Sequence, residues 1–258
     1  MPLIVLGVAG ALFLFLPFVV LLATSWTGGQ FLTFPPQGFS LQWYTSLFTD
    51  SAWTGSFSLS LVVAAGATVL ATAGGTASAL AMARLSSARG GRLLRTLFVA
   101  PLAVPYISYA LGLYDTVQRL PFLQSSLVPL IFGEAVLAFP LVFVVVNAAV
   151  VKLDPALRPA ATTMGARWPT TLRRIELPLL RGAIAAAALF AFNAAFDEVV
   201  LSVFLLPAGK STLPLQMLNS AREAISPQLT AASTLVALIA LVVLGGASLI
   251  SRRREVAS

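Results

Sequence analysis

The chain has 258 residues, of which 58% are hydrophobic and only 10% are charged, and its formal net charge is +7. Soluble domains carry roughly 25% charged residues, so a water-soluble globule of this composition would have too little polar surface to cover itself. Cysteine and histidine are absent, which excludes disulfides, thiol catalysis and the usual zinc and haem sites. The composition therefore predicts an integral membrane protein.

Six apolar stretches are long enough to cross a bilayer, which takes roughly 20 residues of helix. The first has no basic region before it and is longer than the core of a signal peptide, so we expect a retained span. The predicted fold is an all-α membrane protein with six transmembrane helices in a single domain over 1–258. The predicted spans are about 3–24, 57–82, 96–115, 127–151, 179–206 and 228–250.

Lysine and arginine are distributed unevenly over the connections between these spans. Thirteen of the 16 cations follow span two, lie between spans four and five or close the chain. The connections on the other side hold only Arg119, Lys210 and Arg222. Because basic residues favour the cytoplasmic side, both termini are predicted to be cytoplasmic in a multi-pass protein. The cations form no stripe of the kind that binds nucleic acid.

A polar, arginine-rich segment, "DPALRPAATTMGARWPTTLRRIELP" at 154–178, separates spans four and five. Asp154 and Pro155 are typical of the N-cap and first residue of a helix, which we expect over 156–164. Gly165 is expected to end this helix in a left-handed conformation. The charge distribution places the segment on the cytoplasmic side.

A second short helix is predicted over 168–176, with Trp168, Leu172 and Ile175 on one face. Pro178 is expected to start span five, where its missing N–H costs nothing. The coupling segment 152–178 is therefore predicted to be a helical hairpin that docks a soluble partner.

The stretch "PAATTMGARWPTTLRRIELP" resembles the cytoplasmic signature of binding-protein-dependent ABC importer permeases, EAA-xxx-G-x9-I-x-LP. Pro159 stands where that signature usually has a glutamate. The two fixed gaps of the signature are both preserved. The matching positions are Ala160, Ala161, Gly165, Ile175, Leu177 and Pro178.

The resemblance extends to "FPPQGFSLQWYTSLF" and to "FNAAFDEVVLSVFLLPAGKSTLPLQMLNSAREAISPQLTAASTL", which are similar to the spermidine/putrescine-type permeases. Tyr106 stands where these relatives often have a glutamate. The resemblance implies a permease subunit of an ATP-driven importer, which takes a small solute from an extracytoplasmic binding protein into the cytoplasm. A polyamine such as spermidine or putrescine is the leading substrate, and an amino-acid-like compound, ferric ion or an oxyanion is the alternative.

The same resemblance implies the partners and the location. They are a second permease subunit, identical or different, two copies of a cytoplasmic ATP-binding subunit, and a solute-binding protein that meets loops 25–56 and 207–227. ATP and magnesium would be held by the ATPase, so this chain is expected to bind no cofactor or metal and to catalyse no reaction. The location implied is the bacterial inner membrane. The residues expected to dock the ATPase are Ala160, Ala161, Gly165, Trp168, Leu172, Ile175, Leu177 and Pro178.

Acidic residues inside a span usually face a pathway or a partner. Asp197 and Glu198 lie within predicted span five and point roughly 100° apart on a helix, whereas Asn193 shares the face of Asp197. We favour Asn193 and Asp197 as pathway-lining residues and Glu198 as a hydrogen-bonding or pairing group; alternatively, both acids are structural. Tyr106 and Tyr109 can add cation–π contacts to a cationic substrate.

Two further interpretations come from other functional classes. A stand-alone secondary transporter is disfavoured by the short six-span length and by the lack of an inverted repeat. An intramembrane enzyme would need an aspartate pair or a Ser–Lys dyad, and Asp197 has no matching aspartate at its depth. Glu134, near the outer end of span four, is a second acidic candidate for the pathway, although we favour a headgroup-level position for it.

Overall fold

The computed structural model describes residues 2–36, 38–85, 88–223 and 226–255. Regular structure within these ranges is helical, apart from one isolated antiparallel bridge between Thr27 and Phe39. The α-helices, in chain order, are α1 (Pro2–Thr24), α2 (Gln42–Thr49), α3 (Ser51–Met82), α4 (Ala88–Val99), α5 (Tyr106–Gln118), α6 (Val128–Val151), α7 (Leu157–Thr163), α8 (Trp168–Thr171), α9 (Leu177–Phe196), α10 (Val200–Leu205), α11 (Leu213–Glu223) and α12 (Pro227–Glu255).

The helices form two compact units, the first from the described residues of 1–58 and 211–258 and the second from those of 59–210. In the first unit, α12 packs against α1, α2 and α11. The amide Nε2 of Gln228, in the first turn of α12, donates a hydrogen bond to Ser46 Oγ of α2 at 3.2 Å. This bond fixes the start of α12 against the short helix α2.

The core of the second unit is built where α3 and α9 pack on α6. Its buried side chains include Ala79 of α3, Phe143 and Val146 of α6, and Ala187 and Ala191 of α9. Between apolar helices in a membrane, small residues allow the backbones to approach closely, and dispersion contacts then hold them together. The alanines of α9 and the glycines of α3 meet this requirement.

Gly75 lies where α3 approaches α6 closely. A Cβ atom added there would lie 2.7 Å from Val142 Cγ1 and 3.0 Å from the backbone nitrogen of Phe143. Val142 is fully buried, so its side chain has no space to withdraw. At the neighbouring Gly74, the nearest atoms would be those of the Phe139 ring at 3.4 Å, which is an ordinary contact.

We therefore expect Gly75→Ala to destabilise the protein by about 1–3 kcal/mol, the usual cost of overpacking a core. Gly74→Ala is the matched control, because it adds the same methyl group one residue away without a clash. The apparent melting temperature of each variant in detergent is the measurement. Equal melting temperatures for the two variants would contradict this account of the α3–α6 contact.

Four helices are long and apolar enough to cross a membrane within the described residues: Ile4–Thr24, Ser51–Met82, Val128–Val151 and Trp168–Phe196. A fifth is obtained if the bent pair Gly90–Ala103 and Tyr106–Gln118 counts as one span. The described apolar part of α12, Pro227–Leu241, is shorter. Predicted spans 3–24 and 127–151 coincide with α1 and α6, whereas α3 begins earlier than predicted.

Predicted span 96–115 is sharply bent in the structure. After α4 the chain makes a 3₁₀ turn at Ala100–Ala103, and α5 then leaves at 94° to the preceding helix. The cause is Pro105, which disfavours helical conformation in the residue before it. Val104 accordingly adopts extended dihedral angles of φ −83° and ψ 126°.

The prediction of one continuous helix over 179–206 was wrong. Helix α9 ends at Phe196 and α10 begins at Val200, and we call the three residues between them the 197–199 break. Asp197 has φ −91° and ψ 0°, outside the helical region. The break therefore interrupts an apolar helix at its two adjacent acids.

Candidate functional site

The predicted hairpin is present, and its turn has a defined geometry. Helix α7 ends in a Schellman motif, in which the N–H of Gly165 bonds to Thr162 O and the N–H of Ala166 bonds to Ala161 O, both at 2.9 Å. Gly165 has φ +78°, the left-handed conformation expected from the sequence. The turn is therefore fixed by backbone hydrogen bonds on both sides of one glycine.

The start of α7 differs slightly from the prediction. Asp154 Oδ1 accepts a hydrogen bond from the N–H of Ala156 at 2.8 Å, and Ala156 itself is the residue before the helix. The aspartate thus stabilises a turn that leads into α7 at Leu157, in place of capping the helix directly.

Pro178 lies in the first turn of α9, as expected from the sequence, but no break separates α9 from the second arm of the hairpin. Residues Trp168–Phe196 form one helical stretch, in which a π turn, Leu172–Glu176, joins α8 to α9. The N–H of Leu177 bonds to Leu172 O, five residues back. Since Pro178 has no N–H to offer, the wide turn lets the helix pass the proline without a break.

The predicted docking residues fall into two groups by exposure. Ala161 is buried, and Leu172 and Leu177 pack against the core of the second unit, so these three hold the hairpin to its own bundle. Ile175 is half-buried. The exposed members of the predicted set are Ala160, Gly165, Trp168 and Pro178.

The exposed side of the turn carries one further large apolar side chain that the sequence analysis missed. Met164 is 88% exposed and Trp168 is 57% exposed. Two exposed large apolar side chains on a short, hydrogen-bonded turn form a candidate interaction surface. We call Ala160, Met164, Gly165 and Trp168 the hairpin tip.

A buried acid under the hairpin was not singled out from the sequence. The side chain of Glu176, in the π turn, is only 3% exposed. One of its oxygens accepts a hydrogen bond from Arg158 Nε at 2.6 Å, and the other lies 3.3 Å from Arg84 Nη2. We call these three residues the Glu176 network.

The predicted pathway residues lie around the 197–199 break. Asn193 and Asp197 are exposed in this chain, whereas Glu198 is buried. The carboxylate of Glu198 accepts hydrogen bonds from the N–H of Val200 at 3.0 Å and of Leu201 at 2.7 Å. It thereby satisfies donors that the first turn of α10 leaves without helical partners.

The two predicted tyrosines lie at the start of α5, after the bend at Pro105. Tyr106 is exposed, and Tyr109 Oη donates a hydrogen bond to Gly133 O of α6 at 3.4 Å. Among the described residues, no hydrogen bond or ion pair joins either tyrosine to Asn193 or Asp197. The structure therefore describes two separate groups of predicted pathway residues.

Glu134, the second acidic candidate, is enclosed by protein. It is 2% exposed, and its Oε2 atom has no hydrogen-bond partner among the described residues.

Comparison with known proteins identifies the family. The family model described as "Binding-protein-dependent transport system inner membrane component" matches residues 75–256. The putrescine transport system permease protein PotI of Escherichia coli (strain K12) is 28% identical, over 90% of this chain and 84% of PotI. The spermidine/putrescine transport system permease protein PotC of the same strain is 28% identical, over 93% of this chain and 90% of PotC.

A third relative, with lower identity, is named for a different solute. The putative 2-aminoethylphosphonate transport system permease protein PhnV of Salmonella paratyphi A is 26% identical, over 84% of this chain and 81% of PhnV.

Solved structures share the fold. A bacterial ABC transporter involved in the import of the acidic polysaccharide alginate matches with a TM-score of 0.76 at 15% identity, covering 97% of this chain and 95% of the matched chain. The alginate transporter in complex with a periplasmic protein bound to alginate pentasaccharide matches with a TM-score of 0.72 at 17% identity, covering 97% and 94%. At these identities the likeness concerns the fold alone.

The family match begins within α3 and extends through the hairpin and α12. The curated relatives are permease proteins, which are transport components and not enzymes. The chain therefore belongs to the family of binding-protein-dependent transport system inner membrane components, the membrane permease subunits of ABC importers.

Proposed function

We propose that this permease moves a polyamine, such as putrescine or spermidine, across the inner membrane into the cytoplasm. The observation that carries the proposal is the similarity, over at least 90% of the chain, to two relatives named for putrescine and spermidine/putrescine transport. The name of PhnV supports an amino-acid-like compound as the alternative, with ferric ion or an oxyanion after it. A stand-alone secondary transporter has no support from these relatives.

The proposed topology has six spans and cytoplasmic termini. The spans are α1, α3, the bent pair α4–α5, α6, the stretch α8–α9 with α10, and α12. The concentration of arginine around the hairpin supports its cytoplasmic placement. Because the chain has no cysteine, single cysteines at Ser40 and Met164 can be labelled with a membrane-impermeant reagent. Labelling of both from outside intact cells would contradict the topology.

The hairpin tip is proposed to dock a cytoplasmic ATP-binding subunit. Its apolar side chains are exposed, while Ala161, Leu172 and Leu177 fix the hairpin to the bundle below. Two ATPase copies would serve this chain and a second permease subunit, and they would hold ATP and magnesium. A docking surface built this way is stiff. ATP-driven movement of the ATPase would therefore be transmitted to the membrane helices, whereas a flexible loop would absorb it.

On the opposite side, loops 25–56 and 207–227 are proposed to receive a solute-binding protein. The first of these loops is held together by its own polar contacts. Trp43 Nε1 donates a hydrogen bond to Thr27 O at 3.0 Å, and Ser25 Oγ and Tyr44 Oη lie 2.7 Å apart. A preformed surface favours docking because little conformational entropy is lost on binding.

The proposed substrate pathway passes the 197–199 break. Asn193 and Asp197 are proposed to line it, because both are exposed polar groups at the C-terminal end of α9. Glu198 is proposed to hold the break in shape through its bonds to α10. Tyr106 and Tyr109 are proposed to contribute aromatic faces to a cationic substrate.

We expect Asp197→Asn to raise the KM for putrescine import about tenfold. The amide keeps the size and polarity of the side chain but removes the charge that attracts an ammonium group, and a tenfold change corresponds to about 1.4 kcal/mol. Initial rates of labelled putrescine uptake by the assembled importer give the KM. Asp115→Asn is the control, because Asp115 is an exposed acid paired with Arg119 one turn away. An unchanged KM at Asp197 would leave that residue with a structural role only.

A further inference from the structure

The geometry points to Glu176 as a positioning residue that links the hairpin to α3 as well as to α9. The inference rests on the proposed docking of the hairpin tip to an ATPase. The main chain connects the hairpin to α6 on one side and, through the π turn, to α9 on the other. A second connection, from the hairpin to the end of α3, depends on the Glu176 network.

The carboxylate of Glu176 is shared between two parts of the chain that are far apart in sequence. Arg84 follows the last turn of α3, and Arg158 belongs to α7. Each arginine faces a different oxygen of the carboxylate, at 3.3 and 2.6 Å respectively. One buried group therefore holds α7 and the end of α3 at the start of α9.

Arg158 makes a second, direct contact with the end of α3. Its Nη1 atom donates a hydrogen bond to the carbonyl oxygen of Ala83 at 3.0 Å. The same guanidinium thus binds the Glu176 carboxylate and the main chain next to Arg84. Since an arginine presents its donors in a rigid plane, movement of α7 must carry both partners with it or break a charge-assisted hydrogen bond.

The other arm of the hairpin touches the same segment. The guanidinium carbon of Arg84 lies 4.6 Å from the centroid of the Trp168 ring, within the range of a cation–π contact. Trp168 belongs to the hairpin tip, so Arg84 lies between the exposed tip and the buried Glu176. Both arms of the hairpin are therefore tied to the residues that follow α3.

Burial makes this network depend on all three members. Glu176 is almost fully enclosed, and each arginine side chain is about one-third exposed. Removing the carboxylate leaves two cations close together with no counter-ion, which a partly buried site does not tolerate well. Losing the carboxylate therefore weakens the connection of α7 to the end of α3, leaving the Arg158–Ala83 hydrogen bond, while the main chain still connects the hairpin to α6 and α9.

The test uses the complete importer in liposomes, with its ATPase, second permease and solute-binding protein. The readout is the stimulation of ATP hydrolysis when binding protein and putrescine are added. We expect Glu176→Gln to lower this stimulation at least fivefold while basal hydrolysis changes less than twofold, because α3 no longer follows the hairpin. Asp115→Asn, which breaks the exposed Asp115–Arg119 pair, is the matched ion-pair control and should retain full stimulation.

A double-mutant cycle separates positioning from general damage. If Arg158 acts through Glu176, adding Arg158→Gln to Glu176→Gln lowers the stimulation less than twofold further. Multiplicative effects would show that the two residues act independently and would overturn the inference. If Glu176→Gln fails to assemble, Glu176→Asp serves instead, because its shorter side chain cannot span both arginines. We expect it to lower the stimulation about threefold, and a normal value would overturn the inference.

Cross-linking distinguishes the failure of this inference from the failure of the proposed function. A cysteine at Met164, introduced into the otherwise cysteine-free chain, should cross-link to the ATPase both with and without Glu176→Gln. If it does not do so in the parent chain, the proposed docking fails and this inference fails with it. If the cross-link forms and Glu176→Gln keeps normal stimulation, only the inference is overturned. If Glu176 had a purely structural role, Glu176→Gln would reduce the amount of assembled complex without changing the stimulation of ATP hydrolysis in the complex that remains. That result would also overturn the inference.

Discussion

Replacing Gly165 with valine is expected to abolish transport while leaving the protein in the membrane. Gly165 has φ +78°, a conformation that costs an L-residue roughly 1–2 kcal/mol and a β-branched residue more. A Cβ atom there would meet no other atom within 4 Å, so the strain comes from the backbone and not from a clash. The turn would relax by shifting its dihedral angles, which moves Met164 and Trp168 apart.

Uptake of labelled putrescine by cells with equal amounts of the permease in the membrane is the measurement. We expect at least a hundredfold loss for Gly165→Val. Gly165→Asn should keep most of the activity, because asparagine adopts the left-handed conformation more readily. Gly209→Val is a comparison for stability alone, since Gly209 also has φ +78° and open space around its Cβ position. Normal uptake by Gly165→Val would reject the docking role of the hairpin tip.

Glu198→Ala is expected to lower the free energy of unfolding by about 2–6 kcal/mol, because the N–H groups of Val200 and Leu201 lose their acceptor and each such loss costs about 1–3 kcal/mol. We also expect transport to fall more than tenfold as the 197–199 break loses its shape. Thermal unfolding in detergent and uptake of putrescine are the two measurements.

Glu198→Gln separates the hydrogen bonds from the charge. Its amide oxygen can still accept from the first turn of α10, so stability and transport should fall much less than in Glu198→Ala. If Gln and Ala reduced transport equally while the Gln variant stayed stable, the charge itself would be required. Glu198 would then belong with Asp197 in the pathway.

Hydropathy and special residues predicted the parts of the fold that depend on local sequence. The apolar runs gave the positions of α1 and α6, and Gly165 gave the turn of the hairpin, because few other residues adopt its backbone conformation. Pro105 indicates an interruption of the helix before α5, but the angle of 94° could not be predicted from the sequence. A proline alone does not specify whether a helix kinks or ends, and the outcome depends on how α5 packs against α6.

The Glu176 network could not be predicted in the same way, because its members are not neighbours in sequence. Glu176 and Arg84 are 92 positions apart, and Glu176 and Arg158 are 18 apart. One signal was available nevertheless. Glu176 stands between Ile175 and Leu177. A single acid between two large apolar residues indicates a buried carboxylate, which needs an ion-pair or hydrogen-bond partner.

The 197–199 break was missed for a related reason. Residues 179–206 read as one apolar helix with two acids, and helix propensity alone gives no reason to stop at Phe196. The helix stops where the carboxylate of Glu198 binds the N–H groups of Val200 and Leu201. The carboxylate competes here with the backbone carbonyl groups of a continued helix for the same N–H groups. The outcome depends on burial, which cannot be read from the order of residues in the sequence.

The helical stretch Trp168–Phe196 is long enough to act as a lever between the hairpin and Asp197. Its 29 residues span about 43 Å at 1.5 Å per residue, so a tilt of about 10° about its hairpin end would displace Phe196 by roughly 7 Å. Asp197 follows immediately at that far end. A small rotation of the hairpin would thus produce a displacement of several ångströms at the acid that we propose to line the pathway.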